Sequence, residues 1–431
     1  MIIIGEMMIS KSKVDKMGKI LAFPEEKLDS ELEEAYGVLN EYRMRHLEPL
    51  TKLTLKLREW LSKFSHDYYI AQRLKRTPRI IEKLQRLSTI RLSQLQDIGG
   101  CRIIVENNII VDELLDFILR KLSKSKSISL VGQPTDYREK GRDDSGYRAV
   151  HVIVSVDGEK IEIQLRSNMQ HYWAESIERT SIIYKKNLKS LEGSPIVIKY
   201  FKVLSDIFYE IECKREPTTS QRNSLDKLRD EAESIIKSSD SYEVLHSNIR
   251  ENFIESMKSA AEKRYRRLYN WLLIFNWKKG EFQNWMILEN KNPKEIAAEY
   301  AKNEKIYSME DGYEVVLIGA SSVETIRHTH SHYFGLQNYD EVLDGFDETA
   351  ISFKKRKPIN PSSRIILDKM VSNGKWGKKV ITIETIKNHY CPQVNNLEKV
   401  LDNLLDAGLV KKSAHGYSLN SSKRDEIYSL I

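Results

Sequence analysis

The stretch from Asp97 to Glu178 constrains the fold more than any other part of the chain. It opens with Asp97-Ile98-Gly99-Gly100-Cys101-Arg102-Ile103-Ile104-Val105, whose last five residues read as a strand. Val111–Lys121 has the apolar spacing of a helix, and Ile128–Val131 is a second short strand. Gly132–Ser145 is polar and reads as a loop. Tyr147–Val156 and Lys160–Arg166 are strands joined by Asp157-Gly158, a two-residue hairpin signal, and Asn168–Lys185 is a helix. With the helix predicted just ahead of Asp97, the order is helix, strand, helix, strand, strand, strand, helix. That order predicts a mixed α/β domain with a partly antiparallel sheet flanked by helices. Two carboxylates, Asp97 and Glu162, fall on different strands of it, an arrangement suited to holding one divalent metal between separate elements.

The rest of the composition sets limits. The chain has 431 residues, enough for two to four domains, and is 40% hydrophobic and 30% charged, so it can bury a core. Its net charge of +7 permits phosphate-rich partners. Cys101, Cys213 and Cys391 lie far apart, which argues against a disulfide framework or a cysteine zinc site and for a reducing compartment. No run of 18 apolar residues predicts a spanning helix, and Met1-Ile2-Ile3-Ile4 is cut short by Gly5 and Glu6, unlike a signal peptide. A cytoplasmic protein without membrane contact is the expectation.

Residues 1–44 are expected to form an N-terminal helical segment, with Glu25–Tyr42 helical, and residues 45–190 the central domain. Residues 45–70 form a helix carrying Leu50, Leu53, Leu57 and Trp60 on one side. His66-Asp67 is a dipeptide found in metal phosphohydrolases, but no further His and Asp set surrounds it. From Arg73 to Arg91 there are seven basic residues and one acid. Thr77 is placed to cap a helix and Pro78 to occupy its first position. In that helix Ile80, Ile81, Leu84 and Leu87 face a core, while Arg79, Lys83 and Arg86 form a cationic stripe, with Arg73 and Lys75 in the loop before it. Several cations at one place suit a triphosphate, and guanidinium planes also stack on bases.

Beyond this, residues 191–267 are predicted to be a charged helical extension, and residues 268–350 a small separate α+β module. That module has a hairpin at Lys278-Lys279-Gly280, a strand at Tyr313–Gly319 and a helix at Ser322–Tyr333. His328-Thr329-His330-Ser331-His332 reads as a solvated helix end. After the basic linker Lys354-Lys355-Arg356-Lys357-Pro358, residues 358–431 have the helix, helix, helix, hairpin pattern of a winged helix. Asn395, Asn396, Lys399 and Asn403 on its third helix are candidates to face a nucleic acid, and such modules also dock proteins.

Two acids and a cationic stripe, with no Ser or Cys nucleophile constellation, point to phosphoryl chemistry, where a protein chiefly positions groups and neutralises charge. Asp97 and Glu162 are the candidates to hold Mg²⁺ on a nucleoside triphosphate, and one of them to take a proton from an attacking hydroxyl. The loop Lys140–Tyr147 would cover an acceptor, with the Tyr147 ring free to stack on its base.

The segment from Arg73 to Glu178 resembles the synthetase domain of the RelA/SpoT family. The resemblance rests on R-x-K at Arg73 and Lys75, D-I-x-G-x-R from Asp97, S-G-Y-R-x-x-H from Ser145, and E-I-Q-L-R from Glu162 followed by His171-Tyr172-Trp173-Ala174. It implies a nucleotidyltransferase-like fold and Mg²⁺-dependent transfer of pyrophosphate from ATP to the ribose 3′-hydroxyl of a purine nucleotide such as GDP or GTP. By position it implies that Asp97 and Glu162 bind Mg²⁺, with Glu162 as base. Arg73 and Arg102 would sandwich the adenine, Lys75 and Lys83 would hold the ATP phosphates, and Arg79, on the stripe with Lys83, is a further ATP-binding candidate. Tyr147 would stack on the acceptor base, His151 would support that site, and Gln164 and Arg166 would order the strand and nearby phosphates. No companion hydrolase domain is visible in the sequence.

Two positions depart from the family pattern. Arg79 stands where Ser is frequent, and Asp143-Asp144-Ser145 stands where the acceptor loop often has Lys-x-Asn. The second change disfavours an acceptor bearing a 5′-polyphosphate. Two alternatives therefore stand beside a (p)ppGpp or adenosine-analogue synthetase. One is a toxin-type relative that transfers pyrophosphate to the tRNA 3′-CCA end. The other is a catalytically silent protein that senses a nucleotide and binds nucleic acid.

Overall fold

The computed structural model describes residues 9–238, 256–333 and 361–430, apart from residues 26, 143–144, 185, 187, 258, 260–267, 277–280, 290, 309–310, 331–332, 392–393 and 395–396. The Lys278-Lys279-Gly280 turn, the 354–358 linker, His332, Asn395, Asn396, and Asp143 with Asp144 therefore lie outside the described residues. The chain divides into two units, residues 1–335 and 336–431. No helix among the described residues is long and apolar enough to cross a membrane.

Alternation builds the first unit. Val150, Val152, Val154 and Val156 point to one side of β5 (Val150–Val156) and are buried, leaving His151, Ile153 and Ser155 for the other. β6 (Glu159–Ser167) follows the same rule, burying Ile161, Ile163 and Leu165 on the Val150 side and turning Glu162, Gln164 and Arg166 to the His151 side. Asp157 and Gly158 both have positive φ, 50° and 85°, as a tight hairpin of this type requires. β2 (Gly99–Val105) runs parallel to β6, with Gly100 opposite Glu162 and Arg102 opposite Gln164. One face of the sheet is thus a continuous apolar core, and the other carries charge.

Between Leu61 and Thr77 the sequence hides a strand. Tyr69–Leu74 (β1), expected as helix end and loop, pairs antiparallel with β2, with Ile70 and Leu74 in the core and Ala71 and Arg73 on the charged face. Arg73 and Gln72 in mid-strand mask its alternation. β1 also pairs with β9 (Tyr313–Ala320), so the expected α+β module has no sheet of its own. β7 (Tyr269–Asn276), β8 (Glu281–Ile287) and β9 continue the central sheet, whose order among the described residues is β3-β5-β6-β2-β1-β9-β7-β8. Here β3 is Ile128–Leu130, and the two-residue β4 (Thr135–Asp136) pairs with β5. The separate module is corrected to an extension of one sheet, because β1 offers β9 a free edge that would otherwise stay unpaired.

Helices cover both faces. On the apolar side lie α3 (Leu47–Leu61) and α5 (Asn108–Leu122), the latter capped by the Asn107 side chain accepting from the amides of Ile109 and Ile110. α1 (Lys11–Ala22), α2 (Asp29–Met44) and α4 (Thr77–Arg86) share a second core of Val14, Leu39, Ile80 and Leu84. Thr77 does not cap α4. Its residue before the first turn is Arg76, and the Thr77 hydroxyl instead accepts from Arg43, whose guanidinium also meets Glu304 of α9 (Pro293–Ile306) at 2.8 Å.

α6 (Asn168–Ile183) and α7 (Pro195–Glu212) lock together through Trp173, whose indole N–H donates to the Phe201 carbonyl at 2.7 Å; α8 (Thr219–Lys237) packs on α7. Glu212 ends α7 against Gln170 and Asn108, whose side-chain amides donate to it at 3.2 and 3.1 Å. Burial outweighs these bonds and pushes its carboxyl up to about 7. The folded state therefore holds a proton that the unfolded chain has lost, so stability falls as pH rises from about 4.5 to about 7 and stays low above. Glu212→Gln is expected to gain on the order of 1–2 kcal/mol at pH 8 and far less at pH 5, read from denaturant midpoints. An equal gain at both values would contradict this account.

The second unit is a helix at Pro361–Ser372, a short helical stretch from Ile383 to Tyr390, a helix at Leu397–Asp406, the hairpin Val410–Ser413 and Gly416–Leu419, and a final helix at Arg424–Leu430. Its core holds Ile366, Leu367, Leu401, Leu404 and Leu419. On the Leu397–Asp406 helix, Lys399 and Asn403 are exposed beside Glu398, Asp402 and Asp406. A nucleic-acid backbone would meet three acids there.

Candidate active site

The charged face gathers residues from four adjacent strands. β1 ends at Leu74 opposite Gly99, so Lys75, just past β1, and Asp97, just before β2, become neighbours by register alone. The Lys75 amide confirms the approach by donating to the Ile98 carbonyl at 2.8 Å. Pro78 starts α4 so that Lys83, two turns along, reaches the same spot. Asp97 Oδ2 accepts from Lys75 Nζ at 2.6 Å and from Lys83 Nζ at 2.8 Å, while Oδ1 is buried with no partner among the described residues. Burial alone would raise the Asp97 carboxyl, but the two ammonium groups overcome it and hold it well below the usual range. Burial also lowers Lys75, against the pull of Asp97.

Glu162, Gln164 and Arg166 project from β6 at every second residue. Glu162 Oε1 lies 2.9 Å from His151 Nδ1, and Oε2 accepts from Gln164 Nε2 at 2.6 Å. Burial would push this carboxyl up, but the facing imidazole more than offsets it and holds the group ionised. His151 Nε2 meets the Tyr147 hydroxyl at 2.8 Å. Burial opposes its charge, yet Tyr147 and Glu162 raise it to about 9. Tyr147 is brought down to about 7 despite burial, by Arg166 and His151. Arg166 donates to the Tyr147 hydroxyl at 2.8 Å and to Gln164 Oε1 at 3.1 Å. The result is one hydrogen-bonded row running Glu162, His151, Tyr147, Arg166.

This row changes two sequence expectations. His151 reaches the Glu162 carboxylate, so its first contact is with the candidate metal ligand and base. Tyr147 is buried, with the Arg166 guanidinium carbon 4.9 Å from its ring centre, so its ring is not the free platform the sequence led us to expect. The turn that presents it is built on glycine. Gly146 has φ of +81°, and a Cβ there would stand 3.1 Å from the Lys202 Cα and from the Ser205 Cβ of α7. Arg148, to which sequence reasoning gave no role, fastens the same turn to α7 through Ser205 at 3.0 Å and Asp206 at 2.5 Å.

The other cations divide. Arg73 is half-buried on the charged face, and its side chain makes no hydrogen bond or ion pair among the described residues. Arg102 donates to Glu175 Oε1 at 3.2 Å and to the Thr329 carbonyl at 3.0 Å. Burial first, and then the nearby Arg166, work against its charge, which Glu175 supports. Arg79 is not drawn in, since it pairs with Glu82 at 2.7 Å. His66 meets Glu113 at 2.9 Å, and among the described residues no group of three or more His, Cys, Asp or Glu is arranged to hold a metal.

The His328–His330 stretch is not a solvated helix end. Thr329 and His330 are buried, the His328 carbonyl lies 2.6 Å from His171 Nε2, and the His328 ring stacks on Tyr69 at 3.8 Å. His171 was visible in the H-x-W-A motif. Its partner, lying 157 residues further along, was not.

Comparison with known proteins matches the same stretch. The model of the region found in RelA / SpoT proteins matches residues 72–189. Uncharacterized proteins of Mycobacterium bovis and Mycobacterium tuberculosis are 28% identical over 123 residues, 28% of this chain and 43% of theirs. The chain thus spans less than half the length of the curated relatives it matches. Among solved structures, small alarmone synthetase 1 from Bacillus subtilis bound to its product pppGpp is 22% identical, with a TM-score of 0.33, covering 44% of this chain and 95% of that one. Small alarmone synthetase 2 from Bacillus subtilis is 22% identical, with a TM-score of 0.32, covering 42% and 94%.

Proposed function

With residues 72–189 carrying the RelA/SpoT region, we propose that this face transfers pyrophosphate from ATP to the ribose 3′-hydroxyl of a purine nucleotide. The observation that carries the reading is Asp97, set between Lys75 and Lys83 with one buried oxygen unpartnered, on the sheet face that also bears the ionised Glu162. Such a set fits Mg²⁺, which prefers carboxylate oxygens and shares its coordination with substrate phosphates. Asp97 and Glu162 would hold the ion, and it would supply charge neutralisation on the phosphate oxygens.

In the reaction, a bond forms between the acceptor's 3′-oxygen and the β-phosphorus of ATP. The bond from that phosphorus to the oxygen shared with the α-phosphate breaks, and AMP leaves. Glu162 takes the hydroxyl proton, and the facing His151 keeps it in the ionised form this needs. Lys75 and Lys83 exchange part of their hold on Asp97 for phosphate oxygens. Arg73 and Arg102 flank the donor base, since guanidinium planes stack on aromatic rings. Arg166 and Gln164 keep Tyr147 and Glu162 in place.

The test is chromatography of reactions with γ-labelled ATP and Mg²⁺, offering GDP, GTP, AMP, ATP and deacylated tRNA. Label on a free purine nucleotide, absent with Glu162→Gln, is the expected result. Label on tRNA alone would make the 3′-end of tRNA the acceptor, and no labelled product from any acceptor, with the His328→Ala chain as with the wild type, would reject transfer.

A further inference from the structure

The helix α10 (Val323–Thr329) follows β9 and lies against β1 on the charged face. Its last carbonyls, which a helix cannot satisfy internally, are taken by two side chains of the candidate site. Arg102 Nη1 donates to Thr329 O at 3.0 Å, and His171 Nε2 lies 2.6 Å from His328 O. The His328 ring stacks on Tyr69, nearly parallel at 18°, and Tyr69 shares its face of β1 with Arg73. The His328 ring therefore covers Tyr69 and two backbone acceptors meet Arg102 and His171, on the sheet face that Arg73 shares.

We propose that the end of α10 is an autoinhibitory cap seated in the subsite for the donor's purine base, and that nucleotide and cap compete for it. The proposal rests on the reading of Arg73 and Arg102 as the groups that flank that base. Three features support it. The cap supplies what a purine would: a flat ring for stacking and acceptor atoms for a guanidinium. The contact is also poorly satisfied for a permanent core, since Arg102 Nε, His171 Nδ1 and His328 Nε2 are buried with no hydrogen-bond partner among the described residues. Finally, the cap belongs to the extension that follows the matched region in sequence and, among the described residues, joins its sheet only through β1 and β9, next to Arg73.

The experiment uses the full chain and the α,β-methylene analogue of ATP, whose binding is read without turnover. His328→Ala and Tyr69→Ala each remove the stack from one side, and neither residue belongs to the catalytic set. Each variant is expected to bind the analogue at least about 5-fold more tightly than wild type. Saturating analogue should also speed amide exchange at residues 323–330 of the wild-type chain. Unchanged or weaker binding in both variants, or exchange at 323–330 that slows with analogue, would make the helix end a wall of the site and overturn the cap. Binding that tightens while no acceptor is ever labelled would uphold the cap and reject the transfer reaction, so the two readings fail separately. Analogue binding that is undetectable in all three proteins would overturn the cap as well.

Discussion

Glu162→Gln is expected to lower pyrophosphate transfer about 10³-fold, within the range for losing a positioned general base, with little change in stability. Glutamine has the same shape, and its carbonyl oxygen still accepts from His151 Nδ1 at the position of Oε1, 2.9 Å away. What disappears is the negative charge. His151, raised to about 9 in part by that charge, then falls back toward an ordinary imidazole, so no unpaired cation is left behind. Gln164 Nε2, which donates to Oε2 at 2.6 Å, would face an amide N–H₂ and must turn away, a local cost. The measurement is single-turnover transfer with saturating ATP and acceptor, beside analogue affinity. A fall in the transfer rate with affinity held within about 3-fold supports Glu162 as base. Transfer within 10-fold of wild type would move the base elsewhere.

Arg76→Ala is expected to be the most damaging single change for the fold, at about 3–5 kcal/mol, because it removes one partner of a buried ion pair. Arg76 precedes α4 and meets Glu314 of β9, which is buried and also accepts from the Tyr333 hydroxyl. The pair ties the basic helix to the added strands at the β1–β9 junction. Without Arg76, the Glu314 carboxylate stays in the interior facing a phenol. Arg76→Met with Glu314→Leu should recover most of the loss, since two apolar side chains of similar size need no solvation. If the double variant were as unstable as Arg76→Ala, the pair would matter through packing or shape, not through the stranded charge. Denaturant midpoints for the three chains decide it.

How far the fold could be read from sequence depended on whether one face of each element was uniformly apolar. β5, β6 and their Asp157-Gly158 turn were legible because valine and isoleucine recur at every second residue and the turn residues accept positive φ. β1 was not, because its second face carries Ala71 and Arg73 and its core face includes Gln72, so period-two alternation dissolves. The buried tail of α10 was misread for a related reason. Three histidines in five residues look solvated until the Tyr69 ring and the buried His171 imidazole are brought against His328.

By itself the sequence singled out the residues of the proposed site. Asp97, Glu162, Arg73, Lys75 and Lys83 were named from residue type and placement, and Arg102 and His151 from the family resemblance. Only the tertiary structure decided who touches whom. Strand register put Lys75 beside Asp97 and His151 on Glu162, burial turned Tyr147 inward beneath Arg166, and pairing of β1 with β9 brought a helix end from 227 residues away onto Arg102. Local chemistry is written in neighbouring residues. Contacts across a sheet depend on which edges remain free after the local strands have paired, and that is a property of the whole folded chain.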